Sequence, residues 1–302
     1  MLTKETIADW FKVLQDDICA ALEKTDGQAT FKEDKWERPG GGGGRTRVIE
    51  EGAVFEKGGV NFSAVHGELD PKMLKTLEMP EGNNKFFATG VSIVIHPNSP
   101  MVPIIHMNVR YFELDGGISW FGGGIDLTPI YINETQACWF HQQLKLACDA
   151  HDFAYYSHYK KWADDYFYNK HRNETRGVGG IFFDRLKPSA EKTKEELFAF
   201  VQDVGRAFAP TYTELVRQNK ELAFTEQQKE WQLLRRGRYV EFNLVYDRGT
   251  KFGLETEGRV ESILMSLPRY AGWAYNHQTV AGSEEEKTLS LLKKDIDWVN
   301  RC

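Results

Sequence analysis

The chain has 302 residues, 41% of them hydrophobic and 13% aromatic, with a formal net charge of −6. That composition supports a buried core and excludes a disordered chain, and the acidic balance argues against general nucleic-acid binding. No apolar run is long enough to cross a bilayer, so no membrane span is expected. Between Met1 and Lys24, Glu5, Asp9, Asp16, Asp17 and Glu23 interrupt the apolar residues and Arg is absent, unlike a secretory or organellar leader. The expected location is the cytoplasm, the alternative being a mature chain from which a leader has been removed. Cys19, Cys138, Cys148 and Cys302 form no CxxC pair, which reads as free thiols in a reducing compartment.

In chain order, Ile7, Trp10, Phe11, Leu14, Ile18 and Leu22 recur at helical spacing, with Gly27 as a stop. A glycine-rich loop around Gly40 to Gly44 then leads into short strands. It is not a phosphate loop, because Arg45 and Thr46 stand where Lys and Ser/Thr are needed. Phe86 to His96 and Ile104 to Glu113 read as strands, Thr135 to Asp149 and Ser157 to His171 as helices, and Gly179 to Asp184 as a short strand. Thr193 with Glu196, and Thr225 with Gln228, are capping boxes that open helices. Arg238 to Tyr246 and Val260 to Leu267 read as strands, and a helix around Glu284 to Lys294 closes the chain. Strands in blocks with helices grouped between them predict one α+β domain over 1–302, an antiparallel sheet covered by helices.

Strand alternation places His106, Asn108 and Arg110 on one face and Ile105, Met107, Val109 and Tyr111 on the other. Ser92 and His96 share a parity in the preceding strand. If the two strands pair across the proline-rich turn, one face displays Ser92, His96, His106, Asn108 and Arg110, an unusual choice for a solvated surface. In WFGGGIDLTPIY, Gly122 to Gly124 permit close backbone approach to a ligand, and Asp126 follows on what reads as a new strand. His96, His106, His141 and His171 could form a four-imidazole metal site, but no pair has a helical metal-motif spacing, and a satisfied structural histidine is the better reading of each. Lysines dominate the helices while arginines gather in glycine-rich or strand-like stretches, as a small polyanion or structural ion pairs would require. An Arg-rich hairpin spans Arg235 to Arg259, with Asp247 either paired to Arg248 or placed to accept hydrogen bonds from a ligand, and Arg248 counted among the substrate contacts.

The segments GGGGRTRV, FEKGGVNFSAVHG, HPNSPMVPIIHMNVRYF, WFGGGIDLTP, KHRNETRGVGGIFFD and RRGRYVEFNLVYDRGTKFGLETEGRVESILMSLP together resemble the aerobic coproporphyrinogen III oxidase family, from about Phe31 to Tyr275. Departures from the family pattern are Ser119-Trp120 for a tryptophan pair, Ala163 for a cysteine and Glu257 for a glycine. The resemblance implies a flat antiparallel sheet between helices, with helices on both faces. It also implies a homodimer to which about 239–275 contributes, and oxidative decarboxylation of two propionates of coproporphyrinogen III. Ser92, Asn108, Val109, Arg110, Gly258 and Arg259 match substrate-contacting positions, His106 a proton donor, and Asp126, Arg176 and Asp247 residues lining the cleft. The catalytic set is thus His106, Asp247, Asp126 and Arg110. The family sometimes assigns a divalent metal to His96, His106, His141 and His171. Molecular oxygen is the expected co-substrate, with no organic cofactor, since no nicotinamide, flavin or haem motif is visible. A tetrapyrrole carrier and a metal-dependent oxygenase are the rival classes.

Overall fold

The computed structural model describes residues 2–69, 84–255 and 258–301. The opening helix α1 (Lys4–Asp26) starts where the Thr3 side chain accepts the Thr6 N–H. It stops at Gly27, whose φ of 76° is left-handed backbone that glycine tolerates best. The apolar stripe read from the sequence is its buried face. The Asp26 carboxylate accepts the N–H groups of Ala29, Val54 and Phe55, each at 2.9 Å, tying the helix end to the following strands.

Strands β1 (Lys32–Glu37), β2 (Gly42–Glu50), β3 (Phe55–Glu68), β4 (Lys85–Pro97), β5 (Ile104–Leu114) and β6 (Ser119–Thr128) pair antiparallel in sequence order. After the small hairpin β7 (Tyr168–Asn169) and β8 (Glu174–Thr175), β9 (Gly179–Leu186) completes a seven-stranded sheet beside β6. The β4–β5 hairpin expected from the sequence is present, with Ser92 directly opposite Asn108 and Val94 opposite His106. Three readings change here. Gly42 to Gly44 begin β2 rather than forming a loop, β1 was not foreseen, and Gly122 to Gly124 and Asp126 occupy one strand.

Helix α2 (Glu134–Asp149) and helix α3 (Tyr155–Tyr166) follow β6, and α3 lies along the edge strand β9. Helix α4 (Lys194–Asn219) opens with the Thr193 capping box and packs with α1 on the apolar face of the sheet. A Cβ at Gly205 would lie 2.9 Å from Leu14, so the α1–α4 approach depends on the missing side chain. That face carries Val60, Ile93, Met107, Ile125 and Ile181 in one register across five strands, all fully buried. Their burial is the main source of stability, roughly 1.5–3 kcal/mol for each large aliphatic side chain.

The opposite face is covered by helix α5 (Glu226–Val245), helix α6 (Arg248–Glu255) and helix α7 (Val260–Leu264), and helix α8 (Glu284–Leu291) lies near the C-terminus. The two expected strands and the Arg-rich hairpin are therefore helical. Tyr, Val and Phe in RRGRYVEFNLV suggest a strand by propensity, but tertiary burial decides otherwise. Trp231, Arg235, Tyr239 and Phe242 are buried at spacings of four, four and three, one face of a helix that the Thr225 capping box starts. The helix expected from Ser157 to His171 ends at Tyr166, leaving His171 in the β7–β8 hairpin. Cys19 and Cys148 are buried free thiols, whereas Cys138 is disulfide-bonded, which corrects the expectation of free thiols throughout.

Candidate active site

Antiparallel registers turn sequence alternation into rows of side chains across the sheet. On the face under α5 to α7, one row reads Gly59, Val94, His106, Asp126, Gly180. The next reads Asp34, Thr46, Asn61, Ser92, Asn108, Gly124, Phe182, and the third Gly44, Ser63, Gly90, Arg110, Gly122. The result is a polar trough whose floor is kept low by glycine. At Gly122 a Cβ would sit 2.6 Å from the Arg110 Nε and 2.7 Å from an Asp184 oxygen. The bare backbone lets Arg110 lie flat, and its guanidinium reaches Asp184 at 3.1 Å with the side chain still 42% exposed.

A continuous polar chain fills the inner end of the trough. Asn108 Nδ2 lies 3.3 Å from His106 Nε2, and His106 Nδ1 lies 2.7 Å from Asp126 Oδ1. Arg176 donates from Nη2 to both Asp126 oxygens at 2.7 and 2.8 Å, and from Nη1 to Asn243 at 2.9 Å. Burial works against ionised Asp126, but the Arg176 guanidinium and the His106 contact outweigh it and hold the carboxyl below its usual range. Arg176 is itself fully enclosed, with the rings of Phe167, Tyr239 and Phe242 at 4.4, 4.7 and 4.8 Å from its guanidinium carbon. Asp126 therefore remains an anion that fixes the His106 ring through Nδ1 and leaves Nε2 as its proton-handling atom. Asn108 Oδ1 is buried and has no hydrogen-bond partner among the described residues.

The KHRNETR segment explains how α5 is seated over this chain. His171 and Arg172 bond Glu241 at 2.7 Å, Arg235 bonds Glu174 at 2.9 Å, and Arg176 crosses to Asp126. Glu241 also accepts from Trp273 at 2.9 Å and Arg238 at 3.0 Å. Burial opposes its charge, yet these donors hold it down to about 2. Most of the clustered arginines are thus structural: Arg45 and Arg47 pair with Asp16, Arg236 with Glu56 and Arg269 with Glu51.

Of the residues singled out in the sequence, Ser92, His106, Asn108, Arg110, Asp126 and Arg176 converge on the trough. Val109 points to the opposite, apolar face and is fully buried, so it offers backbone alone. Asp247 lies after α5, where its Oδ1 accepts the Tyr166 hydroxyl at 2.9 Å and its Oδ2 the Thr250 N–H at 2.6 Å, capping α6. Arg248 lies over the Tyr166 ring at 5.8 Å, and Arg259 bonds Asp34 and, at 3.1 Å, Ser262 on the β1 side of the trough. Gly258 donates to Gly253 O at 2.8 Å, while Glu257 lies outside the described residues. Tyr166, Tyr239, Phe242 and Asn243 were missed. Reading α5 as a helix would have placed the last three on the buried face that holds Arg235 and Arg236.

The four imidazoles do not fit one metal centre. His96 is fully buried with Nε2 at 2.9 Å from Ser266 O, and burial with nearby Arg236 lowers it to about 3. His141 has both nitrogens engaged, by Tyr156 and by Val178 O, each at 2.9 Å. His171 bonds Tyr246 and Glu241, and His106 bonds Asp126. Among the described residues no group of three or more His, Cys, Asp and Glu side chains is placed to hold a metal ion.

The family model for coproporphyrinogen III oxidase matches residues 6–298. An oxygen-dependent coproporphyrinogen-III oxidase of Drosophila melanogaster is 53% identical over 299 residues, covering 95% of this chain and 76% of the relative. A chloroplastic enzyme of that name from Glycine max is 50% identical, covering 94% of this chain and 77% of the relative. A mitochondrial one from Homo sapiens is 52% identical, covering 94% and 65%. A match over nearly the whole chain, on a sheet whose polar face carries His106 and Asp126 with Arg176 bonded to them from the β8–β9 link, means that the chain belongs to the coproporphyrinogen III oxidase family.

Proposed function

We propose that this chain oxidatively decarboxylates two propionate groups of coproporphyrinogen III to vinyls, with molecular oxygen as co-substrate, giving protoporphyrinogen IX in haem biosynthesis. The observation that carries this reading is the trough, a polar, glycine-floored surface with a buried His106–Asp126–Arg176 chain at one end and Arg110 at the other. The substrate has four carboxylates, and Arg forks match them bidentately. Arg110 and Arg259, paired with Asp184 and Asp34 beside the trough, would exchange those partners for substrate carboxylates, with Arg248, over the Tyr166 ring, as a third fork. Its pyrrole N–H groups need acceptors, a role for the Asp247 carboxylate, whose oxygens each accept one hydrogen bond from the protein.

Chemically, a base takes a pyrrole proton and the electron-rich ring adds oxygen as a peroxide. The peroxide removes a propionate β-hydrogen while the carboxyl leaves as carbon dioxide. For each propionate, one C–H and one C–C bond break, one C=C bond forms, and two electrons reduce oxygen to hydrogen peroxide. The protein supplies position, charge and shielding from water. His106 delivers or holds a proton at Nε2, and Asp247 is the leading candidate for the first base. No step is routed through a metal, and chelator-treated protein is expected to keep most of its activity.

We also propose a homodimer built on 239–275. Leu244, Val245, Phe252, Leu254, Val260, Tyr270 and Trp273 expose 41–56% of their surface in that stretch, more apolar area than a helical layer leaves to water without a partner. Light scattering at micromolar concentration tests it. Cytoplasmic placement remains part of the proposal and is tested by fractionation. Among the described residues no helix is long and apolar enough to cross a membrane.

The decisive assay is incubation with coproporphyrinogen III under oxygen and under argon. Protoporphyrinogen and carbon dioxide under oxygen alone support the reading, while binding without turnover would make the chain a tetrapyrrole carrier. Asp247→Asn is expected to fold, bind porphyrin and lose roughly a hundredfold or more in turnover. A lower melting temperature with turnover per folded molecule near wild type would restrict Asp247 to capping α6.

A further inference from the structure

The Asp247 carboxylate is gripped at both oxygens by groups that belong to different elements. Thr250 N–H, from the first turn of α6, approaches Oδ2 at 2.6 Å, while the Tyr166 hydroxyl, from the end of α3, approaches Oδ1 at 2.9 Å. Capping of α6 explains the first contact and leaves the second unaccounted for. A phenol from a distant helix is not needed to start a short surface helix.

Tyr166 is fixed on every side. Its ring stacks on Phe182 at 4.1 Å with the planes 13° apart, and meets Phe167 edge-on at 5.0 Å. Phe242 lies at 6.1 Å, and the Arg248 guanidinium sits over the ring at 5.8 Å. The hydroxyl oxygen accepts the Arg248 N–H at 3.2 Å, so its own hydrogen is directed to Asp247. Burial first, and then the Asp247 charge, push the phenol well above its ordinary value, so it stays a neutral donor at any working pH. Phe182 belongs to the trough row of Ser92 and Asn108, which links this aromatic stack to the floor beneath the substrate.

Resting on the reading of Asp247 as the acceptor for substrate N–H groups, we infer that Tyr166 is a positioning residue that fixes the orientation of the Asp247 carboxylate. With Oδ1 and Oδ2 each occupied once from behind, the carboxylate offers its remaining lone pairs in one fixed direction. No side-chain reorganisation is then required when the macrocycle arrives. The hydroxyl, rather than the ring, does this, because phenylalanine would preserve the stack on Phe182.

Tyr166→Phe in the full chain tests the inference. The variant is expected to keep the wild-type melting temperature within a few degrees and a near-unchanged KM for coproporphyrinogen III. Its kcat is expected to fall roughly tenfold, the scale of one lost hydrogen bond to a charged group. Combined with Asp247→Asn, it should add no further loss, since the two act as one unit. Wild-type kcat in Tyr166→Phe, or fully multiplicative losses in the double variant, would overturn it. An inactive Asp247→Asn beside a fully active Tyr166→Phe would remove this inference alone. Wild-type turnover in Asp247→Asn would remove the acceptor reading and the inference with it.

Discussion

Along β5, Ile105, Met107 and Val109 enter a core closed by α1 and α4, while His106, Asn108 and Arg110, each one residue away, line the trough. The backbone is shared and the registers are the same, yet the two faces obey different rules. The apolar face is packed with fully buried side chains, among them Val60, Ile93, Met107, Val109 and Ile125, as packing at crystal-like density requires. On the polar face, glycines at 90, 122 and 124 keep the floor low and let Arg110 lie close to the backbone, and the charged groups satisfy one another in a chain that ends at the trough. The apolar side supplies stability, and the polar side places buried charge where chemistry requires it and relies on Arg176 to offset the desolvation.

That contrast can be broken most forcefully at Arg176. Arg176→Ala leaves Asp126 buried without its partner, and is expected to cost about 3–5 kcal/mol of stability as well as turnover, measured by denaturant unfolding and by the oxygen-dependent assay. Unchanged stability would mean that Asp126 is stabilised mainly by other groups. A smaller effect is expected at the rim. Arg110→Ala removes a half-exposed fork, so KM for the tetracarboxylate should rise about tenfold, or roughly 1.4 kcal/mol, with the melting temperature unmoved. Unchanged KM and turnover would take Arg110 out of the site. Smallest is a pH effect on the apolar side. The Asp26 carboxyl is depressed because the N–H groups of Ala29, Phe55, Val54 and Ala53 outweigh the burial that would raise it. A depressed folded-state value stabilises the fold above the ordinary Asp value of about 3.9, and this is lost as pH falls through the folded value. Asp26→Asn should therefore flatten the acid side of the stability profile while leaving turnover at neutral pH intact.

Much of the polar face was legible, because the alternation of HPNSPMVPIIHMNVRYF is a local property that a two-residue period reveals. Asp126 joined that face once β6 was seen as one strand, since glycines in its middle mimic a break between strands. The layer above was not legible. Arg235, Tyr239 and Phe242 are buried against the sheet and the KHRNETR hairpin, contacts between segments some 60 residues apart that no local pattern encodes. The histidines illustrate the same point. The lack of a metal-motif spacing favours structural histidines, and His96 and His141 are separately buried and bonded to backbone carbonyls, but which carbonyls they meet no local pattern encodes.

The most direct test of the division between faces uses two neighbours on one strand. Met107→Ala and Asn108→Ala are to be compared for melting temperature and for kcat with coproporphyrinogen III under oxygen. Met107→Ala should lose about 2–5 kcal/mol of stability and keep its turnover per folded molecule. Asn108→Ala should keep its melting temperature within a few degrees and lose turnover by roughly tenfold or more, as a lost contact to His106 and substrate implies. Normal turnover in Asn108→Ala, or a loss of turnover per folded molecule in Met107→Ala larger than that in Asn108→Ala, would contradict the assignment of chemistry to the polar face.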